Sequence, residues 1–209
     1  MTWRELPMFP LGTVLFPGGV LPLHVFEPRY QAMTGHCLKH DRRMGIVLIE
    51  RGSEVGGGDV RMSVGTEAVI TEAANLPDGR WVLLLLGTRR IRIERWFREQ
   101  PFPRAEVSPL DDGERSGGDA AVARDGLVRR VHRALALKAE LGEWPEAEVA
   151  PDLAVDPAVA TWQAAGLGLV GPADGQRLLE TVGVDDRLGL LASLLDEQID
   201  VLALRAAGR

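Results

Sequence analysis

The chain has 209 residues, of which 45% are hydrophobic and 26% charged, a balance that supports a packed core and excludes a disordered or fibrous chain. At this length folding buries roughly 70% of the unfolded surface, so the core needs neither metal nor disulfide; the lone Cys37 excludes an internal disulfide framework or a four-cysteine zinc site and suits a reducing compartment. The net charge of -6 is unevenly placed: residues 1–104 carry 14 Lys and Arg against 11 Asp and Glu, whereas residues 105–209 carry 10 against 19, which suggests two sub-domains and argues against wholesale wrapping of nucleic acid.

From Glu5 to about Val107, short apolar runs split by Gly and Pro predict strands over Glu5 to Phe9, Val20 to Phe26, Gly45 to Glu50, Val64 to Ala73, Arg80 to Leu86 and Arg89 to Phe97. The apolar stretch Leu11 to Phe26 is broken by Pro17, Pro22, Gly18 and Gly19 and is too short to span a bilayer, so it reads neither as an anchor nor as a signal peptide, and the expectation is a cytoplasmic protein without membrane contact. One helix interrupts the strands: Pro28 suits a first helical position, and Tyr30, Met33, Cys37 and His40 follow at helical spacing. Ser53 to Asp59 carries three glycines and reads as a loop. The segment DDGERSGGD at Asp111 to Asp119 reads as a linker, giving a β sub-domain over residues 1–110, a linker over 111–118 and a helical sub-domain over 119–209. Within the last, helices are predicted over Ala120 to Leu141, Pro157 to Leu169 and Pro172 to Val182, with an acidic connection from Glu143 to Asp156. A final helix is capped by Asp185 or Asp186, its face formed by Leu188, Leu191, Leu195, Ile199 and Leu202 and widened by Leu190, Leu194 and Val201.

Two residues, Gly87 and Thr88, separate the last two predicted strands, and Gly at the first central position suits a type II′ hairpin. That register opposes Leu84 to Ile91 and Val82 to Ile93, giving a core face of Val82, Leu84, Leu86, Ile91 and Ile93. The other face, with Trp81, Leu83, Leu85, Arg90, Arg92, Glu94 and Trp96, is amphiphilic. Covered, it is a docking face for the helical half; open, and extended through Phe97 and Phe102, it is a surface for apolar protein segments, since aromatic and Arg side chains dominate such contacts.

The stretch from Leu6 to Met33 containing PLGTVLFPG, the VGTEAVI strand from Val64, and the Asp-Gly turn at Asp78 leading to Gly-x-x-Arg-x-Arg-Ile at Gly87 resemble, in that order, the N-terminal substrate-binding domain of Lon protease. The HVFEPRY segment at His24 to Tyr30 is most like stand-alone members of that family. The resemblance implies an α+β fold: a PUA-like β pseudo-barrel with one inserted helix, followed by a C-terminal α-helical bundle. It further implies recognition of unfolded or degron-bearing proteins and a part in oligomer assembly.

No catalytic residue, metal site or cofactor emerges. The sequence has no GxxxxGK[ST] loop, since neither Lys39 nor Lys138 follows a glycine, Gly56 to Gly58 lacks a strand-to-helix context, and no G-x-S-x-G elbow is present. In HCLKH, His36 and His40 stand at metal-ligand spacing, but Cys37 takes the place of the glutamate base and falls on the apolar helix face, which reads as a core thiol beside surface histidines. The leading expectation is a non-enzymatic module binding unfolded or apolar protein segments, delivering them to a protease or chaperone, with Trp81, Arg90, Arg92, Trp96, Phe97 and Phe102 as contacts. The alternative is an RNA reader that uses Arg80, Arg89, Arg90, Arg92, Arg95, Arg98 and Arg104 around Trp81, Trp96 and Phe97. A homo-oligomer with a purely structural role is the third reading.

Overall fold

The computed structural model describes residues 4–52, 58, 60–113, 117, 119–144 and 151–208. Apart from Gly58, the glycine loop predicted at Ser53 to Asp59 lies outside them, as do parts of the predicted linker and acidic connection. Two compact units are formed, Met1–Asp111 and Asp112–Arg209.

The first unit contains β1 (Arg4–Leu11), β2 (Val20–Val25), α1 (Pro28–Lys39), β3 (Arg43–Arg51), β4 (Val60–Asn75), β5 (Trp81–Trp96) and β6 (Arg104–Pro109). The strands lie in the order β2-β5-β4-β3-β1-β6, and β6 also pairs with β5. Five strands therefore close into a ring, and β2 lies outside it, antiparallel to the first half of β5. The β1 and β3 strands are parallel, which needs a crossover, and β2 with α1 supplies the chain that makes it. Pro28 opens α1 as the sequence predicts, with Tyr30, Met33 and Cys37 buried beneath it.

Each face of the sheet has its own core. On one, Leu6, Met8, Val47, Ile91, Ile93, Ala105 and Val107 meet; on the other, α1 covers Phe9, Leu11, Met44, Ile46, Ile70, Leu83 and Leu85. Gly45 belongs to the first face, where a Cβ would stand 2.4 Å from Met8 Sδ.

The hairpin predicted at Gly87 and Thr88 does not form. The strand β5 runs straight through both residues, and the turn lies at Leu76 to Arg80, where Gly79 has φ +82° and Leu76 N–H donates to the Arg80 carbonyl at 2.8 Å. Glycine is required at position 87 for another reason: a Cβ there would lie 2.3 Å from the Phe16 carbonyl oxygen, and Gly87 exchanges hydrogen bonds with Gly18 and Gly19. At Thr88 the ladder to β4 instead carries a bulge, the register passing from Ala68 opposite Gly87 to Glu67 opposite Arg89. The bulge reverses the facing of β5. Leu83 and Leu85 are thus core residues under α1, Ile91 and Ile93 enter the opposite core, and Val82, Leu84 and Leu86, expected inside, are only half-buried.

The second unit contains α2 (Ala120–Glu140), α3 (Pro157–Ala165), α4 (Pro172–Glu180) and α5 (Val184–Ala207). Asp119 caps α2 by accepting from Ala121 N–H at 2.8 Å, and Asp156 caps α3 by accepting from Ala158 N–H at 2.9 Å. In α5, Asp185 and Asp186 sit in the first turn instead of capping, since Gly183 takes the cap position. Leu188, Leu191, Leu194, Leu195 and Leu202 are buried as predicted, but Val201 is exposed. Arg187 is fully buried with its guanidinium 4.1 Å from the Trp162 ring centre, and its Nη1 donates to the Thr181 carbonyl.

Candidate functional site

The first half of β5 is held between β4 on one side and β2 on the other, with β2 the outermost strand. Its inner face is anchored by Leu21, Leu23 and Val25, which lie opposite Leu85, Leu83 and Trp81 and pack into the core under α1. Its outer face is apolar and open. Val20 (59% exposed) and Pro22 are exposed opposite the half-buried Leu86 and Leu84, and exposed His24 lies opposite half-buried Val82. Among the described residues nothing pairs with the outer edge of β2. Pro22 explains why this strand is peripheral: with no N–H it cannot complete a ladder on two sides.

Just beyond β2, Phe26 is 55% exposed. It borders a small cavity of about 50 Å³, lined also by Phe9, Leu11, Leu23 and Tyr30. Phe9 and Tyr30 stack at 4.1 Å between ring centres, and the Arg29 guanidinium lies 4.6 Å from the Tyr30 ring centre. Arg29 pairs with Glu27 at 3.2 Å and Glu99 at 2.8 Å, and Glu99 reaches Arg61 at 3.5 Å. The apolar mouth therefore has a polar, mutually paired rim, the arrangement found around protein-binding patches.

The six residues singled out from sequence do not form one surface. Trp81 lies beside the site, opposite Val25 and next in space to the Phe26 end of β2, half-buried against the core under α1. Trp96 is at the far end of β5, where Arg61 sits 4.5 Å from its ring centre. Phe97 is half-buried with Arg95 4.8 Å from its ring centre. Phe102 is 5% exposed and belongs to the core, its ring 5.4 Å from His36. Arg90 is 1% exposed and donates to the Asp111 carbonyl, while Arg92 is exposed. The separation follows from the missing hairpin, because a fold-back at Gly87 would have brought Trp81 and Trp96 together, whereas one continuous strand of 16 residues holds them at its ends.

The same change disperses the arginines. Arg80 pairs with Asp78, Arg89 with Glu67, Arg95 with Glu106 and Arg104 with Glu5. At the end of α1, His36 and His40 stack at 4.2 Å, and burial, then the neighbouring His40 and Arg104, hold the His36 pKa below its ordinary value. Cys37 is buried, and burial pushes its thiol up to about 12, so it stays protonated at neutral pH. Among the described residues no helix is long and apolar enough to cross a membrane.

Sequence reasoning missed Val20, Pro22, Phe26 and Leu84 as surface residues. The available signal was Pro22 inside a predicted strand, a mark of an edge.

The family described as the ATP-dependent protease La (LON) substrate-binding domain matches residues 5–197 of the chain. Among curated relatives, the Lon protease of Methylocella silvestris is 29% identical over 92% of this chain and 24% of its own length. Lon protease 2 of Herpetosiphon aurantiacus is 30% identical over 97% of this chain and 25% of its own. The chain thus spans about a quarter of the length of these relatives. A Lon N-terminal domain protein from Xanthomonas campestris superposes with a TM-score of 0.63 at 28% identity, covering 91% of this chain and 98% of that one. The N-terminal domain of the Mycobacterium avium complex Lon protease shares the fold, with a TM-score of 0.65 at 20% identity over 92% of this chain and 98% of that one.

Proposed function

The chain belongs to the ATP-dependent protease La (LON) substrate-binding domain family, and from that membership we propose that it is a non-catalytic module that captures unfolded or apolar protein segments, serving substrate recognition or delivery in protein quality control. The carrying observation is the unpaired, apolar edge of β2 with Phe26 and its cleft at one end. An extended client adds main-chain hydrogen bonds along β2 and lays apolar side chains against Val20, Leu84, Leu86 and Phe26, with Trp81 at the rim. Main-chain pairing tolerates varied sequence, as a receptor for unfolded chains requires. This reading needs no metal, nucleotide or nucleophile, and protonated Cys37 offers none.

The paired arginines weigh against the RNA reading, since each would have to exchange a carboxylate for a phosphate. Fluorescence anisotropy against an unfolded apolar polypeptide and a single-stranded RNA, each at low and physiological salt, tests the choice. Salt-insensitive binding to the polypeptide alone is expected; steeply salt-dependent binding to RNA alone overturns the proposal.

A further inference from the structure

A second cavity, of about 280 Å³, lies at the bulge of β5 and is lined by Arg4, Glu67, Arg89, Ile91, Val107 and Pro109. At its base Glu67 is 1% exposed, a burial that charged carboxylates accept only when paired. Three guanidiniums pair it: Arg43 Nη1 donates at 2.6 Å, Arg89 Nε at 2.7 Å and Arg4 Nη1 at 3.2 Å. Arg4 Nη2 also donates to Asp41. The bulge builds this arrangement, because Thr88 drops out of the ladder, donates its hydroxyl to the Glu67 carbonyl at 2.9 Å, and leaves Arg89 opposite Glu67.

The cluster carries one more positive charge than negative, three guanidiniums against Glu67 and Asp41. Arg89 uses only Nε on Glu67, so both of its terminal nitrogens lack a protein partner among the described residues, and the side chain is half exposed. Beside these donors stand the apolar walls of Ile91, Val107 and Pro109. A site with a forked cation and apolar walls, near the small end of ligand-pocket volumes, suits a small anion with an apolar body.

We propose that this cavity binds the α-carboxylate of a polypeptide ending in an apolar residue, the carboxylate on the Arg89 terminal nitrogens and the terminal side chain against exposed Pro109, with Ile91 and Val107 closing the cavity behind it. A phosphate would satisfy the cation but gain nothing from the walls. The assignment rests on the client-binding reading for its biological meaning, and it adds a preference for free chain ends at a place distinct from the β2 edge.

The test uses a fluorescein-labelled unfolded peptide ending in Leu, as the free acid and as the C-terminal amide. The free acid is expected to bind at least about tenfold more tightly, as loss of a charge-assisted pair implies. Arg89→Gln should erase that difference while leaving binding of the amide unchanged; Arg133→Gln, an equal charge change on the exposed face of α2, should leave the difference intact. Because Arg89 also supports Glu67, a second measurement on the unmodified protein keeps the site testable: N-acetyl-leucine should shift the backbone amide resonances of Glu67, Arg89, Ile91 and Val107, and N-acetyl-leucinamide should not. Equal binding of acid and amide, with no N-acetyl-leucine shifts, overturns the carboxylate site and leaves client capture standing. Failure of both peptides to bind overturns client capture, and the N-acetyl-leucine shifts then decide this site alone.

Discussion

Replacement of Phe26 by Ser separates a binding aromatic from a core aromatic. With 55% of Phe26 exposed and roughly 200 Å² for a whole aromatic residue, about 110 Å² is available to a client, worth at most about 2.7 kcal/mol at roughly 25 cal/mol per Å². A client covers only part of it, and the shortened side chain keeps its β-carbon, so a loss of about 1–2 kcal/mol is expected, roughly a five- to thirtyfold rise in Kd. The covered part of Phe26, about 90 Å² on the same scale, caps the loss of stability of the free protein at about 2 kcal/mol, less than a core aromatic would cost. Anisotropy titration with a labelled unfolded polypeptide reads the first quantity and guanidinium unfolding the second. An unchanged Kd with an intact unfolding transition would refute the β2 site; a large loss of stability would refute its reading as an open surface.

Phe102→Ala should behave oppositely, costing about 3–5 kcal/mol in denaturant unfolding as a nearly buried core aromatic is removed, with binding affected only through the folded fraction. Gly87→Ala should destabilise by about 1–3 kcal/mol, because its new Cβ meets backbone at Phe16. Gly35→Ala, in α1 with nothing within 4 Å of the new Cβ, should stabilise by up to about 1 kcal/mol, and thermal melts of the two variants must move in opposite directions. Burial raises the Cys37 thiol from 9.0 to about 12, so the folded chain holds that proton more tightly than the unfolded one. Its stabilisation is complete well below pH 9 and is lost as pH rises toward 12; at pH 10 roughly 1.4 kcal/mol should be gone, a slope that urea unfolding should find absent in Cys37→Ala.

The alternation and punctuation of the sequence disclosed most strands and the start of α1, because Pro28 and the spacing of Tyr30, Met33 and Cys37 are local signals that the fold obeys. What stayed hidden depends on contacts distant in sequence. Gly87 carries the same letter whether it turns the chain or makes room for Phe16, and only the fold distinguishes the two. The bulge at Thr88 is equally silent, yet it exchanges the inner and outer faces of the first half of β5, so the expected core triad Val82, Leu84 and Leu86 is only half-buried on the outer face. Strand β6 was overlooked because RAEVSP is short, mixed in character and ends in proline; it is a strand because β1 and β5 both supply partners. The β2 site was partly legible through Pro22, whereas the Glu67 cluster was not, since Arg4, Arg43, Glu67 and Arg89 lie far apart in the chain.

Closure of the sheet bears directly on why β2 is the proposed binding element. Because β6 pairs with both β1 and β5, the five-strand ring has no free edge where it closes. Among the described strands, β2 and the Glu72–Asn75 end of β4 are each held by β5 alone, and of the two β2 carries the large apolar side chains on its outer face. Such an edge would ordinarily invite a second copy of itself. Pro22, at the centre of β2 opposite Leu84, removes one donor from that edge, so a continuous ladder cannot form along it. Pairing must then remain short, and affinity has to come from side chains lodged at Val20, Leu84, Leu86 and Phe26. An unfolded client supplies these wherever apolar residues alternate along an extended segment, whereas a folded neighbour has already buried its own. On the proposed reading, selectivity for unfolded chains would follow from the geometry of one strand, with no need for a sequence-specific pocket along β2.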